Sequence, residues 1–454
     1  MNKVPVIAVF DVGKTNKKLF LFDEQYKIVF EETSTLKETV DQDGDPQEDV
    51  GLLEEWVRTS FKKLMELPGF EVKAINYSAY GASLVHITNP EKKSLPIDNY
   101  LKPYPANVHK EFYHTYGDEI KLAKETASPV LGNLNSSMQL YRIKKQNPEI
   151  FQSIYQSLHL PQYIGWLIHQ QAFSDISSIG CHTMLWDFEK NHYHDWVIAE
   201  GIEKKLAPLK KANEVVEVAF QEQSLVSGIG MHDSSAALVP YLILFNEPFI
   251  LISTGTWCIS LNPFNKNPLT EQELKNDCLC YIEYRGQVVK ASRLFAGHEH
   301  EQQIQKLAKH FSKPVDYYKG VLYNTIIIEK LKKNPPFFKT VFEFPPLTLD
   351  SFENYEEAYH QLMINIMELQ IASTELILKG ADAKKIFVDG GFSKNHIYMN
   401  LMAAAFPEKQ VYAASVAQAS AIGAALVIHQ HWNQNPIPND IIELKIYHPP
   451  DNQE

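Results

Sequence analysis

Two stretches far apart in this chain read alike, and their likeness restricts the fold more than any other feature. Val4–Phe10 (VPVIAVF) is an apolar, β-rich run. It breaks into the polar turn Asp11-Val12-Gly13-Lys14-Thr15-Asn16 and resumes as the apolar run Lys18–Asp23. From Phe249 the chain repeats the scheme: an apolar run, the turn Ser253-Thr254-Gly255-Thr256, and a second β-rich run to Leu261. A strand, a glycine turn and a return strand, used twice, predicts two related halves with a cleft between them. A chain of 454 residues also exceeds what one hydrophobic core usually serves. The boundary is expected near residue 240, where Pro240 and Asn246-Glu247-Pro248 interrupt the pattern, giving domains 1–240 and 241–454.

The flanking patterns predict a mixed α/β class. The first 35 residues read as three consecutive strands. Leu53, Trp56, Val57, Phe61, Leu64 and Met65 then recur at helical spacing within Leu52–Leu67, and Val72–Ala79 returns to strand. Residues 110–172 read as mainly helical. Asn354–Leu378 reads as a long helix stopped by Gly380, and Lys385–Val388 as a buried strand running into Gly390-Gly391. Ser415–Gln430 reads as an Ala-rich helix.

Composition excludes several classes. Net charge is −12, which disfavours nucleic acid and anionic membranes as partners. No apolar run approaches the roughly 20 residues of a membrane helix, and Val4–Phe10 lacks a cleavage site. The four cysteines are too few for a disulfide scaffold and point to a reducing, cytoplasmic setting. Cys278-x-Cys280 has no second pair to complete a metal site. His298-Glu-His300-Glu and His192-x-His194 lack the spacing of a zinc helix and are expected to be solvated surface residues.

Ala8–Thr15 (AVFDVGKT) ends like a P-loop, but β-rich sequence flanks it where a helix should follow. As a hairpin turn, Asp11–Asn16 instead offers backbone N–H groups for an anion nest, side-chain donors at Thr15 and Asn16, charge at Lys14, and a carboxylate at Asp11 suited to Mg²⁺. A plain turn with solvated charges fits the same residues. Asp389-Gly390-Gly391-Phe392-Ser393-Lys394-Asn395 lets backbone approach a flat ligand such as adenosine, or is a strand-to-helix turn with Ser393 as N-cap. Gly230-Met231-His232-Asp233 places a carboxylate at a helix start, either a base for a hydroxyl or a capping residue.

The order of these motifs along the chain resembles the FGGY carbohydrate kinases, over nearly its whole length. The resemblance implies the ribonuclease H-like, actin–hexokinase–heat-shock-protein ATPase fold in both domains, with ATP and Mg²⁺ as cofactors and a sugar as substrate. It implies that Asp233 is the catalytic base and that Asp11 and Asp233 attend the metal. Gly13, Lys14, Thr15, Asn16, Thr254, Gly255 and Thr256 would then hold phosphate, and Gly390, Gly391, Ser393 and Asn395 adenosine. Gly81, Ala82, Ser83 and His232 would meet the sugar, with the Phe173–Asp187 stretch beside it. His232-Asp233 and Trp257 are similar to kinases of 6-deoxy-ketohexoses such as L-fuculose and L-rhamnulose. Lys14, Ser83 and Gln418 depart from the family pattern; Ser83 replaces a carboxylate. A ketopentose kinase, a non-catalytic sensor on the same fold, and an actin-like filament or chaperone ATPase are the alternatives. A homodimer stays open.

Overall fold

The computed structural model describes residues 3–41, 43–89, 93–221, 223–332 and 344–449. The chain forms two compact units. One comprises Met1–Leu244, Cys280–Val288 and Ala417–Ile441, and the other Phe245–Leu279, Val289–Val416 and Ile442–Glu454.

In the first unit the three opening strands are β1 (Val4–Val12), β2 (Lys17–Asp23) and β3 (Ile28–Ser34). A two-stranded ribbon follows, β4 (Glu38–Val40) with β5 (Pro46–Glu48). Asp49 caps helix α1 (Val50–Met65) by accepting hydrogen bonds from the Gly51 and Leu52 amides. Strand β6 (Phe70–Ala79) comes next. The stretch expected to be helical is interrupted: β7 (Leu84–Thr88) pairs with β8 (Ile154–His159). Tyr155, Ser157 and Leu158 lie in a short alternating run that helical spacing alone does not separate from its neighbours. The unit continues with β9 (Val215–Phe220), β10 (Gln223–Gly228), β11 (Met231–His232) and helix α2 (Asp233–Leu244).

The sheet order is β9-β10-β6-β1-β2-β3, with β11 also on β6. Strand β1 is antiparallel to β2 and parallel to β6. Val6 to Phe10 are all buried, as the central strand of a covered sheet requires. The buried face of α1, Leu53, Val57 and Leu64, joins that core, and Trp56 meets Phe10 edge-on at 5.3 Å.

The second unit uses the same scheme. Strand β12 (Phe249–Thr254) is antiparallel to β13 (Cys258–Asn262), which pairs with β14 (Val288–Leu294). After helices α3 (Ala296–His310) and α4 (Tyr355–Leu378), β15 (Lys385–Gly390) runs parallel to β12. With helix α5 (His396–Ala405), β16 (Gln410–Ser415) and β17 (Glu443–Tyr447), the seven-stranded sheet runs from the edge strand Cys278–Ile282 through β14-β13-β12-β15-β16-β17.

Pro240 does not mark a break. It lies inside α2, and the first unit runs on to Leu244. A proline has no N–H, so the carbonyl of Ala236, four residues earlier, loses its helical partner. Helix α6 (Ala419–Val427), which packs on α2, crosses at this point: a Cβ on Gly423 would collide with the Ala236 carbonyl. The proline frees an oxygen, and the glycine brings backbone against it.

Ordinary helix propensity favours Ala over Gly by about 1 kcal/mol, whereas a methyl forced into a filled contact costs about 1–3 kcal/mol. Gly423→Ala should therefore lower the urea midpoint of unfolding. A raised midpoint would show that the two helices separate freely.

Candidate active site

Three parallel strand ends organise the polar residues of the first unit. In the β1–β6 register Asp11 faces Ser78 and Val12 faces Ala79; on the other side of β6, Met231 faces Ser78 and His232 faces Ala79. The turn 13–16, the turn 81–83 and the His232-Asp233 pair therefore leave the sheet at one edge. Buried Asn76 reinforces this. Its amide donates to the Ala424 carbonyl at 2.7 Å, and its oxygen accepts from the Gly230 amide at 3.1 Å, just before His232.

Asp233 is the first residue of α2, where the helix dipole favours negative charge. Its Oδ1 accepts from the Ser234 amide at 2.6 Å and the Ser234 hydroxyl at 3.2 Å. Burial pushes the carboxyl up to about 6 against those bonds. Asp11 accepts from Ser420 Oγ at 3.0 Å. Burial, with a contribution from the Asp233 charge, pushes it up to about 6 as well. Two carboxyl groups, both with pKa values raised by burial, sit at this edge.

His232 is buried, and its pKa falls to about 3 because burial penalises the cation. Nε2 lies 3.2 Å from Asp233 Oδ1 and 3.2 Å from Cys181 Sγ. Nδ1 is buried with no hydrogen-bond partner among the described residues. Tyr281 stacks on the ring at 5.6 Å. Gly81 packs close to the same ring, where a Cβ would stand 3.0 Å from the imidazole. Ala82 has a left-handed φ of 66°, a strained setting for a residue with a side chain. Ser83 is buried and its carbonyl accepts from the Leu160 amide at 3.2 Å.

The first turn differs in detail from the expected nest. The Gly13 amide is spent on the Asn16 carbonyl at 2.9 Å, and Gly13 needs no positive φ. Thr15 and Asn16 stay exposed, and Lys18 Nζ donates to Gln418 Oε1 at 3.1 Å.

In the second unit, Gly255 closes its turn in the same way, donating to the Trp257 carbonyl at 2.9 Å; Gly255 and Thr256 are exposed. Thr254 lines a cavity here, and its side chain is already engaged within the unit. Its hydroxyl donates to the Asp389 carbonyl at 2.5 Å and accepts from the Phe392 amide at 2.9 Å. Thr254 thus fastens this turn to the turn 390–395. Gly390 has φ 89° and no room for a Cβ against the Thr254 carbonyl. Ser393 is not the helix cap: its hydroxyl donates to the Gly390 carbonyl at 2.8 Å. Asn395 caps α5 instead, accepting from the Ile397 and Tyr398 amides at 3.0 Å.

A cavity of 480 Å³ opens here, lined among others by Gly255, Gly297, His300, Tyr318, Gly391 and Asn395. The Asn395 amide donates to the Tyr359 hydroxyl at 2.7 Å, and His300 Nε2 lies 3.0 Å from the same hydroxyl. His300 is therefore a wall residue and not a solvated one, because α3 turns it inward. Burial lowers its pKa to about 4. His194 is likewise buried, 3.0 Å from Glu125. Among the described residues no group of three or more His, Cys, Asp or Glu is placed to hold a metal.

Family models account for both units: "FGGY family of carbohydrate kinases, N-terminal domain" matches residues 6–238, and "Carbohydrate kinase FGGY, C-terminal domain" matches residues 246–436. The chain belongs to the FGGY family of carbohydrate kinases. Its fold is that of other FGGY kinases, the actin-like fold of two α/β units. A carbohydrate kinase from Novosphingobium aromaticivorans superposes with a TM-score of 0.81 at 22% identity, covering 99% of this chain and 95% of that one. The xylulose kinase of Lactobacillus acidophilus gives 0.79 at 14%, covering 98% and 94%. The rhamnulokinase of Halalkalibacterium halodurans is 23% identical over 261 residues, which span 55% of this chain and 54% of that protein. No helix among the described residues is long and apolar enough to cross a membrane.

Several residues of this FGGY chain that build the site escaped the sequence reading. Cys181 and Tyr281 flank His232, Ser420 holds Asp11, and Tyr359 links His300 to Asn395. Cys181 falls within the Phe173–Asp187 stretch expected beside the sugar; the other three lie in no recognisable motif. Gly297 had a signal, a glycine at a helix start, and its Cα meets the Gly255 carbonyl so closely that a Cβ would not fit.

Thr254→Val keeps the shape of the side chain but strands the buried Phe392 amide. It should cost about 1–3 kcal/mol of unfolding free energy in urea, while Thr254→Ser stays near the wild type. Equal losses in both variants would show that the methyl group, not the hydroxyl, holds the turn.

Proposed function

We propose that this protein transfers the γ-phosphoryl group of ATP to a hydroxyl of a ketose, with Asp233 as the base. The observation that carries the reading is Asp233 itself: a carboxylate at a helix start, beside a neutral histidine, its pKa pushed up to about 6 by burial. Such a group is ionised at neutral pH and still basic enough to take a hydroxyl proton in the transition state. In phosphoryl transfer the remaining gain comes from alignment and charge stabilisation.

The 480 Å³ cavity is of a size to hold an adenosine, with Gly391 and Asn395 at its wall. The exposed turns offer phosphate ligands: Lys14, Thr15 and Asn16 in one unit, Gly255 and Thr256 in the other. Thr254, Gly390 and Ser393 act through the backbone they position. Asp11 and Asp233 suit Mg²⁺, which takes one or two carboxylates and fills its shell with phosphate oxygens and water. When bound, that ion would neutralise charge on the β- and γ-phosphates.

His232 selects the sugar in this reading. If Nε2–H donates to Asp233, the buried Nδ1 is left as an acceptor with no partner among the described residues, ready for a sugar hydroxyl. Cys181 and the Tyr281 ring, both in contact with His232, offer apolar surface that suits a 6-deoxy carbon. Ser83 keeps this wall uncharged. The partial likeness to a rhamnulokinase supports the same class.

The test is ADP release with Mg-ATP and a panel of L-fuculose, L-rhamnulose, the xyluloses, the ribuloses and glycerol. One 6-deoxy-ketohexose should exceed the rest by about 10²-fold in kcat/KM, the scale at which a pocket separates near neighbours. A ketopentose in first place would overturn the sugar and keep the reaction. No sugar-dependent release would overturn the kinase reading in favour of a sensor.

A further inference from the structure

The ribbon β4–β5 carries two glutamates directly opposite each other: Glu38 pairs with Glu48 across the antiparallel ladder. Like charges in that position repel. Each is answered by a lysine, Lys14 from the turn that follows β1 and Lys17 from the start of β2. Lys17 Nζ stands 2.5 Å from Glu48 Oε1, and Lys14 Nζ stands 2.9 Å from Glu38 Oε1.

The two pairs differ in kind. Lys17 and Glu48 are buried, their side chains 3% and 5% exposed. Lys17 also donates to the carbonyls of Gly13 and Lys14, both at 3.1 Å. The Tyr80 hydroxyl donates to Glu48 from just before the turn 81–83. This pair is a permanent anchor for the turn. Lys14 and Glu38 are 30% and 47% exposed, and the Lys14 ammonium lies 5.9 Å from the Tyr100 ring centre. An exposed pair of this kind is weak and exchangeable.

We propose that the ribbon is a carboxylate clasp on the first phosphate turn, in which Glu48 fixes the backbone through Lys17 while Glu38 holds Lys14 in reserve and gives it up to the nucleotide's phosphates. Glu38 is then a positioning residue that competes with the ligand for one ammonium. The inference rests on reading residues 13–16 as a phosphate turn. It gives two neighbouring glutamates different duties, and it explains why a lysine is tolerated at position 14.

The experiment is calorimetric titration of the full chain with Mg-ATP in the absence of sugar. Lys14→Met should weaken binding about tenfold, the scale of a lost charge-assisted hydrogen bond. Glu38→Gln should tighten it about two- to fivefold, the scale of an exposed ion pair. In the Lys14→Met background Glu38→Gln should then have no effect, because its only route to the ligand is through Lys14. Wild-type binding with an unchanged or weakened Glu38→Gln variant would overturn the clasp alone. So would an equal tightening in both backgrounds, which would reflect net charge. If the wild type binds no Mg-ATP, the phosphate-turn reading falls and the clasp with it.

Discussion

The parallel register of β1, β6 and β11 is the constraint on which the first unit depends. Strands that run parallel and end together deliver their following residues to the same edge, which is where ligands gather in open α/β sheets. Here the register pairs Val12 with Ala79 and Ala79 with His232. A slip of one residue would turn Asp11 or His232 to the opposite face.

What lies behind the edge is held by backbone contact more than by side-chain bulk. Gly423 brings α6 against the carbonyl that Pro240 leaves free in α2, and α6 then presents Ser420 to Asp11. Asn76 receives Gly230 and holds Ala424, joining β6, the approach to His232 and α6 through one amide. Asp233 heads the same helix that Gly423 braces. Its position is thus a consequence of packing several residues away, and its raised pKa follows from the burial which that packing creates.

Much of this was legible in the sequence. Apolar runs interrupted by glycine turns gave both hairpins, and helical spacing gave α1 and α4, because local pattern and burial coincide there. The motif residues were legible as types, but their duties were not. Thr254 reads as a phosphate donor, yet its hydroxyl is consumed by Asp389 and Phe392. Gly13 reads as a bend with outward N–H groups, yet its amide closes the turn. His300 and His194 read as surface residues because nothing in a linear pattern shows which way a helix faces. Lys17 and Glu48 are separated by a ribbon whose pairing no short-range signal reveals. The limit lies in contacts set by tertiary structure, where a donor is committed to a partner far along the chain.

The central claim is that Asp233 takes the proton of the acceptor hydroxyl. Single-turnover phosphoryl transfer by Asp233→Asn, alongside calorimetric titration of Mg-ATP, tests it most directly. Nucleotide affinity should stay within a few fold of the wild type while transfer slows by about 10² or more, the scale of a lost general base. Transfer at a near-normal rate in that variant would contradict it.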